Sequence, residues 1–186
     1  MSKNIKDIIN DNIKVTNDLL NQIDNIDAIC SVVLETIQNN KKILLCGNGG
    51  SATDSIHIAS EIVGKFEKER KALPSISLST NPSNLTSIGN DFGFENIFSR
   101  QVEALGDEGD MLIAISTSGN SQNIIRAVDT ALNKKLNIII FTGQCGGETE
   151  RFDCLKLKVP SNNVARIQEN HILVGHIIAK YLEENF

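Results

Sequence analysis

His57 and Glu61 stand four residues apart in a stretch with helical periodicity, so they share one face of a helix. An imidazole and a carboxylate at this spacing can hold a divalent metal or move protons, and an exposed ion pair is the plainer alternative. Asp54 lies close to the same line. The opposite arc carries Ala59, Ile62, Val63 and Phe66, which are expected to face the core. Ile56 and Ile58 flank the polar line, and the small Ser60 and Gly64 lie beside it, as the walls of a narrow polar groove would require. The other two histidines fall on a final helix from about 164 to 184. His171 shares an arc with Val174, Ile177, Ile178, Tyr181 and Leu182 and is expected in the core or an interface. His176 lies on the other side, near Glu169 and Lys180. Gln168 precedes it by two turns, about 12 Å along the axis, so both serve one site only by leaning toward a point between them.

Two loops offer donors to an anion. Gly47-Asn48-Gly49-Gly50-Ser51-Ala52 follows an apolar run and opens the helix that carries His57. It matches a dinucleotide fingerprint loosely, but the acid expected about twenty residues on is missing: that run ends in Ser79-Thr80-Asn81, and Glu67 and Glu69 fall in the charged stretch 65–71. No Gly-Lys-Ser/Thr is present, which removes the P-loop reading. A glycine turn that lets backbone approach a polar ligand remains, against a plain tight turn. Ser116-Thr117-Ser118-Gly119-Asn120-Ser121 again joins an apolar run to a helix. Hydroxyls beside a helix start suit a phosphate monoester and need no lysine. A helix cap explains Ser121 alone and not the Ser-Thr-Ser run before it. Gly89-Asn90-Asp91-Phe92-Gly93 is a third polar loop that could line the same pocket.

Short apolar runs at 43–46, 75–79, 111–116, 137–142 and 155–159 read as buried strands. Helical stretches fall near 51–66, 82–88, 95–105 and 121–134, after two helices at about 5–23 and 26–38. Alternating strands and helices imply a three-layer α/β/α domain around a central parallel sheet of about five strands. The expected organisation is a single domain over 1–186: N-terminal helices over 1–40, used in subunit packing or as a cap on the same domain, and an α/β core with the last helix over 41–186. Ligands of such sheets bind beyond the carboxyl ends of the strands, where both donor loops lie.

The chain has 186 residues, 40% of them apolar, with 18 basic against 23 acidic residues and a net charge of −5. Aromatics are 4%, with no Trp and no long basic cluster, so no nucleic-acid partner is expected. No run approaches the length of a membrane span, and residues 1–7 are polar, without the apolar stretch of a secretory signal. Four cysteines without a CxxC pair, Cys46 closing an apolar run, fit a reducing cytoplasm.

Together these segments resemble the phosphoheptose isomerases of the sugar-isomerase (SIS) fold family. The similarity is carried by Gly47 to Ser51, His57-x-x-x-Glu61, Gly89 to Phe94, Phe98 to Ala104, Ser116 to Ser121, and Arg166-Ile167-Gln168-Glu169 with His171 and His176. The resemblance implies conversion of sedoheptulose 7-phosphate to D-glycero-D-manno-heptose 7-phosphate, the first step toward bacterial ADP- or GDP-heptose, in a homotetramer. It implies one zinc per subunit on His57, Glu61, Gln168 and His176, with Glu61 and His176 as the acid–base pair. It implies substrate contacts from Asn48, Gly49, Gly50, Ser51, Glu61, Asn90, Asp91, Ser116, Thr117, Ser118, Ser121 and Gln168. The same subfamily contains a protein that binds the replication initiator DnaA, which is the main alternative; an isomerase for another sugar phosphate is the third.

Overall fold

The computed structural model describes residues 4–186; the first three, part of the polar opening, lie outside the described residues. The chain runs α1 (Ile5–Asp18), α2 (Ile23–Gln38), β1 (Ile43–Gly47), α3 (Gly50–Val63), β2 (Ser75–Ser77), α4 (Pro82–Phe92), α5 (Ser99–Leu105), β3 (Met111–Ser116), α6 (Gln122–Asn133), β4 (Asn137–Gly143), β5 (Leu155–Val159) and α7 (Val164–Asn185). All five strands are parallel, in the order β2-β1-β3-β4-β5. The apolar runs had to be strands buried on both faces, because successive side chains of a strand point to opposite sides. Ile43, Leu45, Ile113, Ile139 and Leu157 face α1, α2, α3 and α7, whereas Leu44, Cys46, Leu112, Ala114 and Ile140 face α5 and α6.

Several boundaries differ from those expected. The first helix gives way at Leu19–Gln22 to a 3-10 turn before α2. The helix over 82–88 continues through Phe92, so Asn90 and Asp91 form its last turn and not a loop, and Gly93 ends it at a φ of +88°. The stretch 95–105 divides into the 3-10 turn Phe94–Asn96 and α5. Helix α3 stops at Val63, which leaves Val63 exposed and Phe66 half-buried beyond its end, while Ile58 is buried in the core. Helices α1 and α2 cover the domain itself: Val15, Leu19, Ile29, Cys30 and Val33 enter the core, and Asn25 Nδ2 donates to Lys156 O at 2.9 Å. Their outer face keeps Ile5, Ile9, Ile13, Leu20 and Ile23 exposed. Among the described residues no helix is long and apolar enough to cross a membrane.

Strand order places a topological switch between β1 and β3. The chain leaves β1 into α3 on one face of the sheet and leaves β3 into α6 on the other. The two loops part there and open a crevice at the carboxyl edge.

Candidate active site

A cavity of about 300 Å³ fills that crevice, lined by Asn48, Gly49, Gly50, Ser51, Ile115, Ser116, Thr117, Ser121, Val164 and Gln168. The glycine turn and the serine loop thus face one space, and among the described residues no charged side chain lines it. Gly49 takes φ +55°, open to the left-handed region because it lacks a Cβ. Gly50 has no room for a side chain: a Cβ there would stand 2.3 Å from Gln168 Nε2. Helix α4, which follows β2, is capped by Asn81, whose side chain accepts from Ser83 and Asn84 N–H. Of the helices that start at the crevice, α7 is capped by Asn163, whereas α3 and α6 have no side-chain cap among the described residues, so the Ser121 hydroxyl is free of that duty. Ser116 Oγ donates to Ser121 Oγ at 3.3 Å. Donors and two helix starts converge on an uncharged hollow, an arrangement that favours an anion. Ser118 lines a neighbouring cavity of about 260 Å³ with Thr117, Gln144 and Cys145.

The titratable cluster lies two turns along α3. Helices α3 and α7 pack parallel, with Gly50 against Gln168 and Ile58 against Gly175. This register brings His176 Nε2 to 3.2 Å from His57 Nε2, which in turn lies 3.2 Å from Glu61 Oε1. His57 is about half exposed and Glu61 a quarter. Phe66 covers His176, with ring centroids 5.4 Å apart. Its place is set by Glu183, one oxygen of which accepts from the N–H groups of Phe66, Glu67 and Lys68 at 3.1, 2.8 and 2.8 Å. Burial would raise the Glu183 carboxyl, but these three bonds and nearby Lys180 outweigh it and hold the group below the usual carboxylate range. Two imidazole nitrogens and a carboxylate oxygen are a donor set that suits zinc. They form a chain of contacts through one nitrogen of His57, not a ready cage, and among the described residues no group of three or more His, Cys, Asp or Glu is arranged to hold a metal. Gln168 stands apart from this cluster, against Gly50 in the crevice.

Asn90 and Asp91 are exposed at the end of α4, bonded to each other at 2.7 Å, and do not line the crevice of their own chain. His171 is fully buried; its Nε2 lies 3.2 Å from Thr142 O, and burial lowers its pKa to about 4, so the ring is neutral. Sequence reasoning missed Asn123, which pairs with Asn48, and Glu183, which holds Phe66. Neither carries a local signal, because each acts across more than seventy residues of chain.

Comparison with known proteins follows this geometry. Residues 10–143 match the SIS domain, so the chain is a member of that family. It is 52% identical over 162 residues to the phosphoheptose isomerase of Clostridium acetobutylicum, covering 87% of this chain and 83% of the relative. The phosphoheptose isomerase structure from Francisella tularensis superposes with a TM-score of 0.94 at 35% identity, covering 97% of this chain and 96% of the other. That from Neisseria gonorrhoeae gives 0.91 at 38% identity, covering 97% of both. Within the SIS family, the chain belongs to the phosphoheptose isomerases, which are enzymes.

Asp54 sits on the α3 stripe between Gly50 and His57, half-buried, with Oδ2 lacking a hydrogen-bond partner among the described residues. Burial lifts its pKa to about 6, against an opposing pull from His57. The folded chain then binds this proton more tightly than the unfolded one, so its contribution to stability falls as pH rises from about 4 to about 6 and is level above. Asp54→Asn is expected to gain stability relative to the parent across that interval, with a constant gap beyond it. Urea unfolding of both proteins along a pH series measures the difference, in which the titration of His171 cancels. A gap independent of pH would show that Asp54 is not the buried acid.

Proposed function

We propose that the chain converts sedoheptulose 7-phosphate into D-glycero-D-manno-heptose 7-phosphate, supplying bacterial heptose biosynthesis. The observation that carries the reading is the placement of His57, Glu61 and His176 two helical turns from an uncharged crevice of hydroxyl, amide and helix-start donors. Gly50 and His57 are seven residues apart, about 10 Å along the helix. A sugar with its phosphate at one end and its carbonyl near the other can occupy both places at once. Ser116, Thr117, Ser118, Ser121 and the free N–H groups at the crevice would hold the phosphate. Asn48, Gly49, Gly50, Ser51 and Gln168 would line the sugar's path.

Ketose–aldose exchange moves a proton from C1 to C2 through an enediol. Glu61 takes the proton from C1 and returns it to C2, and His57, 3.2 Å away, orients its carboxylate. His176 moves the accompanying proton between the two oxygens, under the cover of Phe66. His57, Glu61 and His176 would hold zinc, and Gln168 would join them only by swinging away from Gly50. When bound, zinc supplies Lewis-acid polarisation of the carbonyl oxygen. The enzyme works in the cytoplasm, without nucleic-acid or membrane partners. It assembles as a homotetramer, through the exposed isoleucines of α1 and an apolar groove of about 320 Å³ formed by Leu20, Ile23, Leu173, Ile177 and Tyr181 with their neighbours. In such an assembly the exposed Asn90 and Asp91 would serve a site formed with a second copy.

Purified protein incubated with sedoheptulose 7-phosphate and followed by NMR should form the aldose. Glu61→Gln should keep the fold and lose about a hundred- to ten-thousand-fold in turnover, the range for a lost general base. Near-normal turnover would move the base elsewhere.

Ser118→Ala and Ser121→Ala should each raise KM by about one to two powers of ten, the loss of one hydrogen bond to a charged group. The melting temperature of Ser121→Ala should stay close to that of the parent, because this hydroxyl caps no backbone N–H. Unchanged KM in both would remove the phosphate assignment.

Light scattering at micromolar concentration should return four times the mass of the chain; a monomer would contradict a site completed by a second copy.

A further inference from the structure

We infer that Asn123, which none of the chemistry above uses, is a positioning residue that sets the Asn48 amide for the sugar phosphate and ties the two binding turns together. The inference rests on the phosphate reading of the crevice. Asn123 is the second residue of α6, only 3% exposed, and does not itself line the cavity. Its Nδ2 donates to Asn48 Oδ1 at 2.9 Å, and Asn48 Nδ2 donates to Asn123 Oδ1 at 2.8 Å. Each amide spends one N–H and one oxygen lone pair on this ring of two bonds. Asn48 lines the crevice and keeps a second N–H and further acceptor capacity there.

The need for such a partner comes from where Asn48 sits. It stands among Gly47, Gly49 and Gly50, a backbone with little conformational restraint of its own. The terminal torsion of an asparagine is broad and nearly two-fold, so an unsupported amide presents its oxygen or its nitrogen with similar ease. A flip of Asn48 alone would face Asn123 oxygen to oxygen and N–H to N–H, so the buried partner opposes it and the two amides turn only together. The bond also joins the two sides of the switch point. Asn48 lies in the turn after β1 and Asn123 in the first turn of α6, after β3, and the helices α3 and α6 lie on opposite faces of the sheet. The amide pair therefore fixes the spacing between the glycine turn and the start of α6.

The test compares Asn48→Ala, Asn123→Ala, the double variant and Ser121→Ala, with kcat, KM and melting temperature measured for each and inorganic phosphate as a competitive probe. Asn123→Ala is expected to raise KM about tenfold, the scale of one lost hydrogen bond, with kcat changed by less than about twofold. Phosphate should inhibit that variant correspondingly less well. In the Asn48→Ala background, Asn123→Ala should add no further rise in KM, because it acts through the amide already removed. Asn123→Ser, too short to form both bonds, should reproduce the effect if the alanine variant folds poorly. A lowered melting temperature with unchanged KM in Asn123→Ala and Asn123→Ser would overturn the inference, as would independent, multiplying effects in the double variant. If Ser121→Ala raises KM while Asn48→Ala does not, the positioning role falls and the phosphate reading stands. If neither changes KM, both fall.

Discussion

Helices α3 and α7 lie alongside one another because two glycines leave out the atoms that would hold them apart. A Cβ on Gly175 would stand 2.4 Å from Ile58 Cγ1, and one on Gly50 would collide with the amide of Gln168. Both helices start at the carboxyl edge of the parallel sheet and run back along the same face, so the contact is parallel and its register extends over its whole length. Positions 50, 54, 57 and 61 follow at intervals of four, three and four, which keeps them on one stripe against α7. The crevice, the half-buried Asp54 and the His57–Glu61–His176 cluster are successive stations along that seam. Its spacing sets the separation between the proposed anion site and the proposed proton-transfer site.

Charge explains why the separation is useful. With a phosphate in the crevice, as proposed, a net-acidic chain would have to keep its own carboxylates away from it, and among the described residues no charged side chain lines the crevice. At about 10 Å and an effective dielectric constant of about 20, two unit charges repel by about 2 kcal/mol. A carboxylate about 4 Å from the phosphate would repel it by about 4 kcal/mol on the same scale. Neutral hydroxyls and helix-start N–H groups would hold the proposed anion with no such conflict, their dipoles fixed before the ligand arrives.

That fixity comes from behind the serine loop. Gly143 N donates to Thr117 O and Thr149 N to Gly119 O, both at 3.1 Å, and Glu148 N donates to Asn120 Oδ1 at 2.8 Å. Gly119, at φ +66°, packs so closely on Gly146 O that a Cβ would lie 1.8 Å from it. The turn after β4 thus occupies the carbonyls of Thr117 and Gly119 and leaves Ser116, Thr117 and Ser121 lining the crevice. On the far side of the site, Glu183 does comparable work for Phe66, from the last turns of α7.

The sequence alone determined the five parallel strands, because runs such as Ile43-Leu44-Leu45-Cys46 are apolar at every position and suit only a strand buried on both faces. It also located the two loops that line the crevice, and the pairing of His57 with Glu61 through the four-residue repeat of a helix. It placed His171 in the core or an interface from its arc on the last helix, and the ring is buried in the core. Each of these is local, set by period and by neighbours in the chain. It misjudged Ile58, Val63 and Phe66, since a helical wheel knows neither where the helix ends nor that a second helix packs beside its polar line. Only the tertiary structure decided that His176 meets His57, that Gln168 rests on Gly50, and that Asn123 grips Asn48. Those contacts join residues 75 to 119 positions apart, and they exist because strand order and helix packing close the space between them.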